Sequence, residues 1–148
     1  MATLLTLTFS QPTLSLEPGD VLIKEGDPGG DLYVLESGRL RVERAGITLA
    51  TISSPGALIG EMSVLLGTEN TATVRAEKPT IVRVVKDALA YLERQPLVAL
   101  RVAMLLSQRL DATSALLVEA QKQATKGKPP EPNGVFGKLI ATVSGENR

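Results

Sequence analysis

Between Leu14 and Val85 the chain is a series of short β-prone segments, cut apart by turn residues about every ten positions. That rhythm excludes long helices from this region and selects a sandwich, barrel or roll. Leu14 and Leu16 alternate with polar residues after Pro12, and Val21-Leu22-Ile23 follows the turn Pro18-Gly19-Asp20. The cluster Glu25-Gly26-Asp27-Pro28-Gly29-Gly30 closes that segment. Leu32-Tyr33-Val34-Leu35 comes next, then a turn at Glu36-Ser37-Gly38. Leu40, Val42 and the run from Ile47 to Ile52 supply two strands around a hairpin turn near Arg44-Ala45-Gly46, and Thr80 to Val85 supplies the last. Upstream, Leu5, Leu7 and Phe9 alternate with Thr6 and Thr8, which predicts one more half-buried strand.

Past Val85 the period changes. Asp87 suits the N-cap of a helix through Leu89, Tyr91 and Leu92, and Pro96 ends that helix and opens another. From Leu97 to Ala124 there is neither glycine nor proline, so this is the longest expected helix. Its first half is apolar on several sides. Its second half narrows to Leu106, Leu110, Thr113, Leu117, Ala120 and Ala124, a seam that suits pairing with another helix. Packing on the chain's own body is an equal reading for Leu106 and Leu110. Lys126 to Gly134 reads as a Pro/Gly linker, and Val135 to Val143 as a short apolar element. The expected organisation is one domain over residues 1–125, including the long helix, with an appendage over 126–148.

Composition removes several functions. The chain has no cysteine and no histidine, so disulfides, the usual zinc and iron sites, and nucleophilic catalysis with a histidine base are excluded. A histidine-ligated cupin enzyme falls by the same count. Lys+Arg and Asp+Glu both number 16, so no net charge draws the chain toward nucleic acid or an anionic membrane. The N-terminus lacks a basic n-region. Arg101 interrupts the most apolar window, Leu97 to Leu106, which falls short of the ~20 residues of a membrane span. These observations predict a cytoplasmic, non-enzymatic protein with no metal or covalent cofactor, no membrane and no nucleic-acid partner.

The stretch from Gly56 to Ala76 carries the functional signal. Gly56 and Gly60 precede a short apolar turn, and a glycine there lets backbone N–H groups come close to a ligand. Free N–H groups of a first helical turn favour an anion, and Glu61 follows as an acceptor for ligand hydroxyls. This stretch, Gly56 to Ala76 with Gly60-Glu61-Met62-Ser63-Val64-Leu65 within it, resembles the phosphate-binding cassette of cyclic nucleotide-binding domains. Leu16 to Asp27 and Asp31 to Val42 resemble the first half of that family's roll, and the likeness extends over roughly residues 14–120.

The resemblance implies an α+β fold: an antiparallel β-roll, jelly-roll-like (a double-stranded β-helix), with a short cassette helix and a long C-terminal helix. It implies a cyclic nucleotide as ligand. Gly60 and the backbone of Met62 and Ser63 would line phosphate and ribose, Glu61 would accept the ribose hydroxyl, and Thr71 and Ala72 would add contacts to the phosphate. Read without the family, Glu61 is a helix-start carboxylate facing solvent. The family's phosphate arginine lies nine residues after that glutamate, where this chain has Asn70. A charge-assisted hydrogen bond is worth roughly 1.5–3 kcal/mol against about 1 for a neutral one, so binding is expected to weaken about tenfold or more. Arg75 lies at an odd offset from Asn70 and should face the other way, and Arg39 and Arg41 belong to another strand.

The family also implies a homodimer or partner helix through Leu106, Leu110, Thr113 and Leu117. No helix-turn-helix pattern follows Thr125, which predicts no DNA reading. Two functions remain open. One is a stand-alone regulatory module that senses cyclic AMP, cyclic GMP or a related phosphorylated ligand and signals through its C-terminal helix. The other is a structural or dimerisation module of the same fold with a degenerate phosphate site.

Overall fold

A computed structural model describes residues 3–126. The residues of the expected linker and apolar tail beyond Lys126 lie outside the described residues. The chain divides into two compact units, with the boundary between Val102 and Ala103. The first unit contains eight strands: β1 (Thr13–Leu16), β2 (Val21–Ile23), β3 (Leu32–Ser37), β4 (Leu40–Arg44), β5 (Ile47–Ile52), β6 (Leu58–Ile59), β7 (Thr73–Ala76) and β8 (Thr80–Val85). The helices are α1 (Leu4–Leu7), α2 (Glu61–Leu66), α3 (Ala88–Arg94) and α4 (Pro96–Ala124), the last crossing the unit boundary.

The strands form two four-stranded antiparallel sheets, in the orders β1-β8-β3-β6 and β2-β7-β4-β5. Neighbours in each sheet are mostly distant in sequence, as in a roll. Apolar residues from both sheets make one core: Leu16, Leu35, Ile59, Val82 and Val84 come from the first sheet, and Ile23, Leu40, Val74 and Ala76 from the second. The fold is therefore the antiparallel β-roll with short helices and a long C-terminal helix. The tight β4–β5 hairpin turns through Ala45 (φ 51) and Gly46 (φ 77), the pair of positive φ values that matches the twist of the flanking strands.

In place of the expected strand over Leu5 to Phe9 the chain forms the short helix α1, Leu4–Leu7, followed by a turn. Thr3 caps α1, its hydroxyl accepting the Thr6 N–H at 3.2 Å, and the Thr8 Oγ1 donates to the Leu4 carbonyl. Leu4 and Thr8 are the buried positions, while Phe9 is 74% exposed. Burial thus recurs every four residues, and the period-two alternation of Leu and Thr was coincidental. The α3 start also differs in detail. Asp87 stands at the N-cap with φ 46 and ψ 60, and its side chain makes no capping bond. Its backbone N–H instead donates to Asp31 Oδ1 at 3.1 Å.

α4 begins at Pro96 as the sequence predicts, and Val98 and Val102 are buried in its first-unit portion. In the second unit Gln121 is buried, Ser114 and Leu117 are half-buried, and Leu110, Thr113, Ala120 and Ala124 are exposed. The covered row is thus rotated slightly from the apolar seam. Among the described residues no helix is long and apolar enough to cross a membrane.

Candidate functional site

The β6–α2 junction builds the site. Gly60, at φ 87 and ψ 4, is the αL residue that turns the short strand β6 into α2. A Cβ on Gly60 would stand 2.8 Å from the Asp31 carbonyl oxygen and 3.6 Å from the Tyr33 ring, so glycine is required by conformation and by space. Ser63 locks the turn from the other side, its Oγ donating to the Gly60 carbonyl at 3.1 Å. The Ser63 carbonyl then receives the N–H groups of Gly67 and Thr68, which ends the helix.

Glu61 is 8% exposed and Ser63 5%. Glu61 is therefore a buried residue and not one facing solvent. Met62 points outward and is 48% exposed, leaving its backbone as its contribution. Thr71 and Ala72 are half-buried in the bend just before β7, which starts at Thr73.

Asn70 has taken on structural work. Its Nδ2 donates to the Lys24 carbonyl at 3.3 Å, its N–H donates to the Asp27 carbonyl at 2.9 Å, and its carbonyl accepts the Gly26 N–H at 2.9 Å. These bonds tie the end of the cassette to the β2–β3 loop. Gly29 completes the tie, because a Cβ there would collide with the Ser63 side chain and stand 3.1 Å from Asn70 Oδ1. The next two residues of that loop reach α3: the Gly30 carbonyl accepts the Ala88 N–H at 2.9 Å, and Asp31 binds Lys86 Nζ at 3.1 Å. The Asp31 partner holds the Lys86 ammonium pKa above its ordinary value. Burial first, and the Asp31 charge second, push the Tyr33 phenol upward.

The other arginines raised by the sequence face away. Arg75 donates to the Gly19 carbonyl at 3.2 Å and lies 3.9 Å from Glu43; Arg39 pairs with Glu77, and Arg41 with Glu43 and Glu77. A concavity of about 620 Å3 lies against the cassette's end, lined by Glu25, Gly26, Arg44, Leu66, Thr68, Glu69, Asn70 and Thr71. It takes in Asn70 and Thr71 but not Gly60, Glu61, Met62, Ser63 or Ala72. Sequence reasoning missed Gly29, Asp31 and Arg44. A double glycine inside a turn cluster was the available signal for the first.

A family profile described as "Cyclic nucleotide-binding domain" matches residues 13–91. The chain belongs to the cyclic nucleotide-binding domain family. It is 37% identical over 113 residues to the "Cyclic AMP receptor protein" of Thermus thermophilus, covering 72% of this chain and 51% of that protein. It is 42% identical over 71 residues to "Acetyltransferase Pat" of Mycolicibacterium smegmatis, covering 46% of this chain but 21% of the acetyltransferase. The chain therefore spans at most about half the length of these relatives. Among solved structures, the Thermus thermophilus catabolite activator protein is similar at a TM-score of 0.65 and 29% identity, over 94% of this chain and 74% of that one.

Proposed function

We propose that the chain is a regulatory module that senses a cyclic nucleotide, cyclic AMP or cyclic GMP, and signals through its C-terminal helix. The observation that carries this reading is the intact cassette turn: Gly60 in the αL conformation, Ser63 bonded back to it, and Glu61 held on the buried side. A buried carboxylate at that place is suited to accept a ribose hydroxyl. The module is regulatory and carries no catalytic residues of its own. It works in the cytoplasm, as a homodimer or with a partner helix seated on Leu106, Leu110, Thr113 and Leu117, without nucleic acid or membrane.

Calorimetric titration with cyclic AMP and cyclic GMP tests the reading. Heat of binding with a matching thermal shift is the expected result; neither signal at millimolar ligand would sink it. The second reading, a structural module with a degenerate phosphate site, is favoured by one observation. The Asn70 amide is already spent on the Lys24 carbonyl, and the amide carries no charge to offer a phosphate. A stable dimer that ignores both nucleotides is the outcome that reading expects.

A further inference from the structure

β4 and β7 pair in unbroken antiparallel register, Leu40 opposite Ala76, Val42 opposite Val74 and Glu43 opposite Thr73. Leu40 and Val42 face the core. Arg41 and Glu43, the alternate residues, lie on the outer face in ion pairs with Glu77 and Arg75. Arg44, the last residue of β4, has the same strand parity as Leu40 and Val42. It is exposed, and no ion pair or side-chain hydrogen bond holds it among the described residues. It shares the concavity of about 620 Å3 with Asn70 and Thr71 and is the one cation among the lining residues.

We infer that Arg44 supplies, from the neighbouring strand, the positive charge that Asn70 does not, so that the ligand's phosphodiester lies between Arg44, Asn70 and Thr71. The inference rests on the ligand reading proposed above and names a residue for it. A guanidinium from β4 offers the same charged, forked donor set as an arginine on the cassette loop. Arg75 is engaged by Glu43 and the Gly19 carbonyl, Arg41 by Glu43, and Lys86 by Asp31, while Lys24, whose carbonyl holds Asn70, is exposed and does not line the concavity. Glu25 and Glu69 line the concavity too, and Glu25 Oε2 accepts the Ala45 N–H at 3.0 Å beside Arg44. With one cation against two carboxylates, a singly charged cyclic diester fits better than a doubly charged 5′-monophosphate.

The test titrates the full chain and its Arg44→Gln variant with cyclic AMP, cyclic GMP and 5′-AMP. Because Arg44 is exposed, the variant keeps the thermal midpoint of the parent. Cyclic nucleotide affinity is expected to fall at least tenfold in Arg44→Gln and to recover when Asn70→Arg is added. The parent is expected to bind the cyclic diester more tightly than 5′-AMP. Equal cyclic nucleotide affinity in parent and Arg44→Gln overturns the role of Arg44 and leaves the ligand reading standing. Tighter binding of 5′-AMP overturns the charge assignment. A parent that gives no signal with either cyclic nucleotide fails the ligand reading itself, and the Arg44 inference with it.

Discussion

Gly60 and Gly56 share nearly the same backbone, φ 87 and φ 88, but differ in surroundings. A Cβ on Gly56 meets nothing within 4 Å, whereas one on Gly60 stands 2.8 Å from the Asp31 carbonyl oxygen. Gly56→Ala should therefore cost only the αL penalty, about 1 kcal/mol. Gly60→Ala adds a backbone collision that cannot relax by turning a side chain, so a loss of about 3 kcal/mol is expected. Thermal unfolding separates the two variants, at roughly 4–8 °C per kcal/mol; equal shifts would show that the Gly60–Asp31 approach is not tight. Single residues also show how far the site was legible. The turn from Gly60 to Ser63 could be read because the hydrogen bond that closes it spans only four residues of chain. At Asn70 the missing charge was legible but the new partner was not, since the Lys24 carbonyl lies 46 positions away. Arg44 needed the fold: its parity with Leu40 and Val42 was in the sequence, but the concavity it shares with Asn70 and Thr71 was not.

Among the elements, strands were legible where one face is buried and turns bound both ends. β3 and β8 each bury residues of the shared core, and burial is what period-two patterning records. α1 was misread because four residues cannot distinguish a period of two from one of nearly four, and its stability comes from Thr3 and Thr8 hydrogen bonds rather than from a pattern. The junction between the cassette and α3 was illegible for another reason: the β2–β3 loop makes it, through Gly29 against Ser63, Gly30 to Ala88, and Asp31 to Lys86 and the Asp87 N–H. Of the two Asp31 bonds, the exposed ion pair with Lys86 adds little. The bond to the Asp87 N–H matters more, because Asp87 is held in αL, a conformation costly for a non-glycine residue. Asp31→Ala should remove about 1 kcal/mol of local stability. Amide exchange at Ala88 and the first turn of α3 should then speed up roughly fivefold. Unchanged exchange, measured residue by residue by NMR, would mean that α3 is held from elsewhere.

At the scale of the whole molecule, the sensing proposed for this chain needs a surface through which occupancy is read, and exposed apolar residues of the long helix are candidates for it. In its second-unit portion Leu110 is 45% exposed, Leu116 71% and Val118 40%. Exposed Thr113, Ala120 and Ala124 continue the expected seam beyond Leu110, small enough to let another helix come close. The covered row of Ser114, Leu117 and Gln121 occupies only part of that face, so a second helix has room on the rest. Burying one leucine is worth about 1.5–3 kcal/mol, and a symmetric pair counts each such residue twice. A glutamate at the centre of the seam reverses both gains and sets like charges against each other across the two-fold axis. Light scattering on the full chain should accordingly show a dimer, and Leu110→Glu should be a monomer with an unchanged thermal midpoint, since Leu110 is exposed within its own chain. A parent chain that stays monomeric at high protein concentration would remove the seam as an interface. The signal would then have to leave the roll by another surface, such as the apolar outer side of α2, where Met62 and Leu66 are exposed.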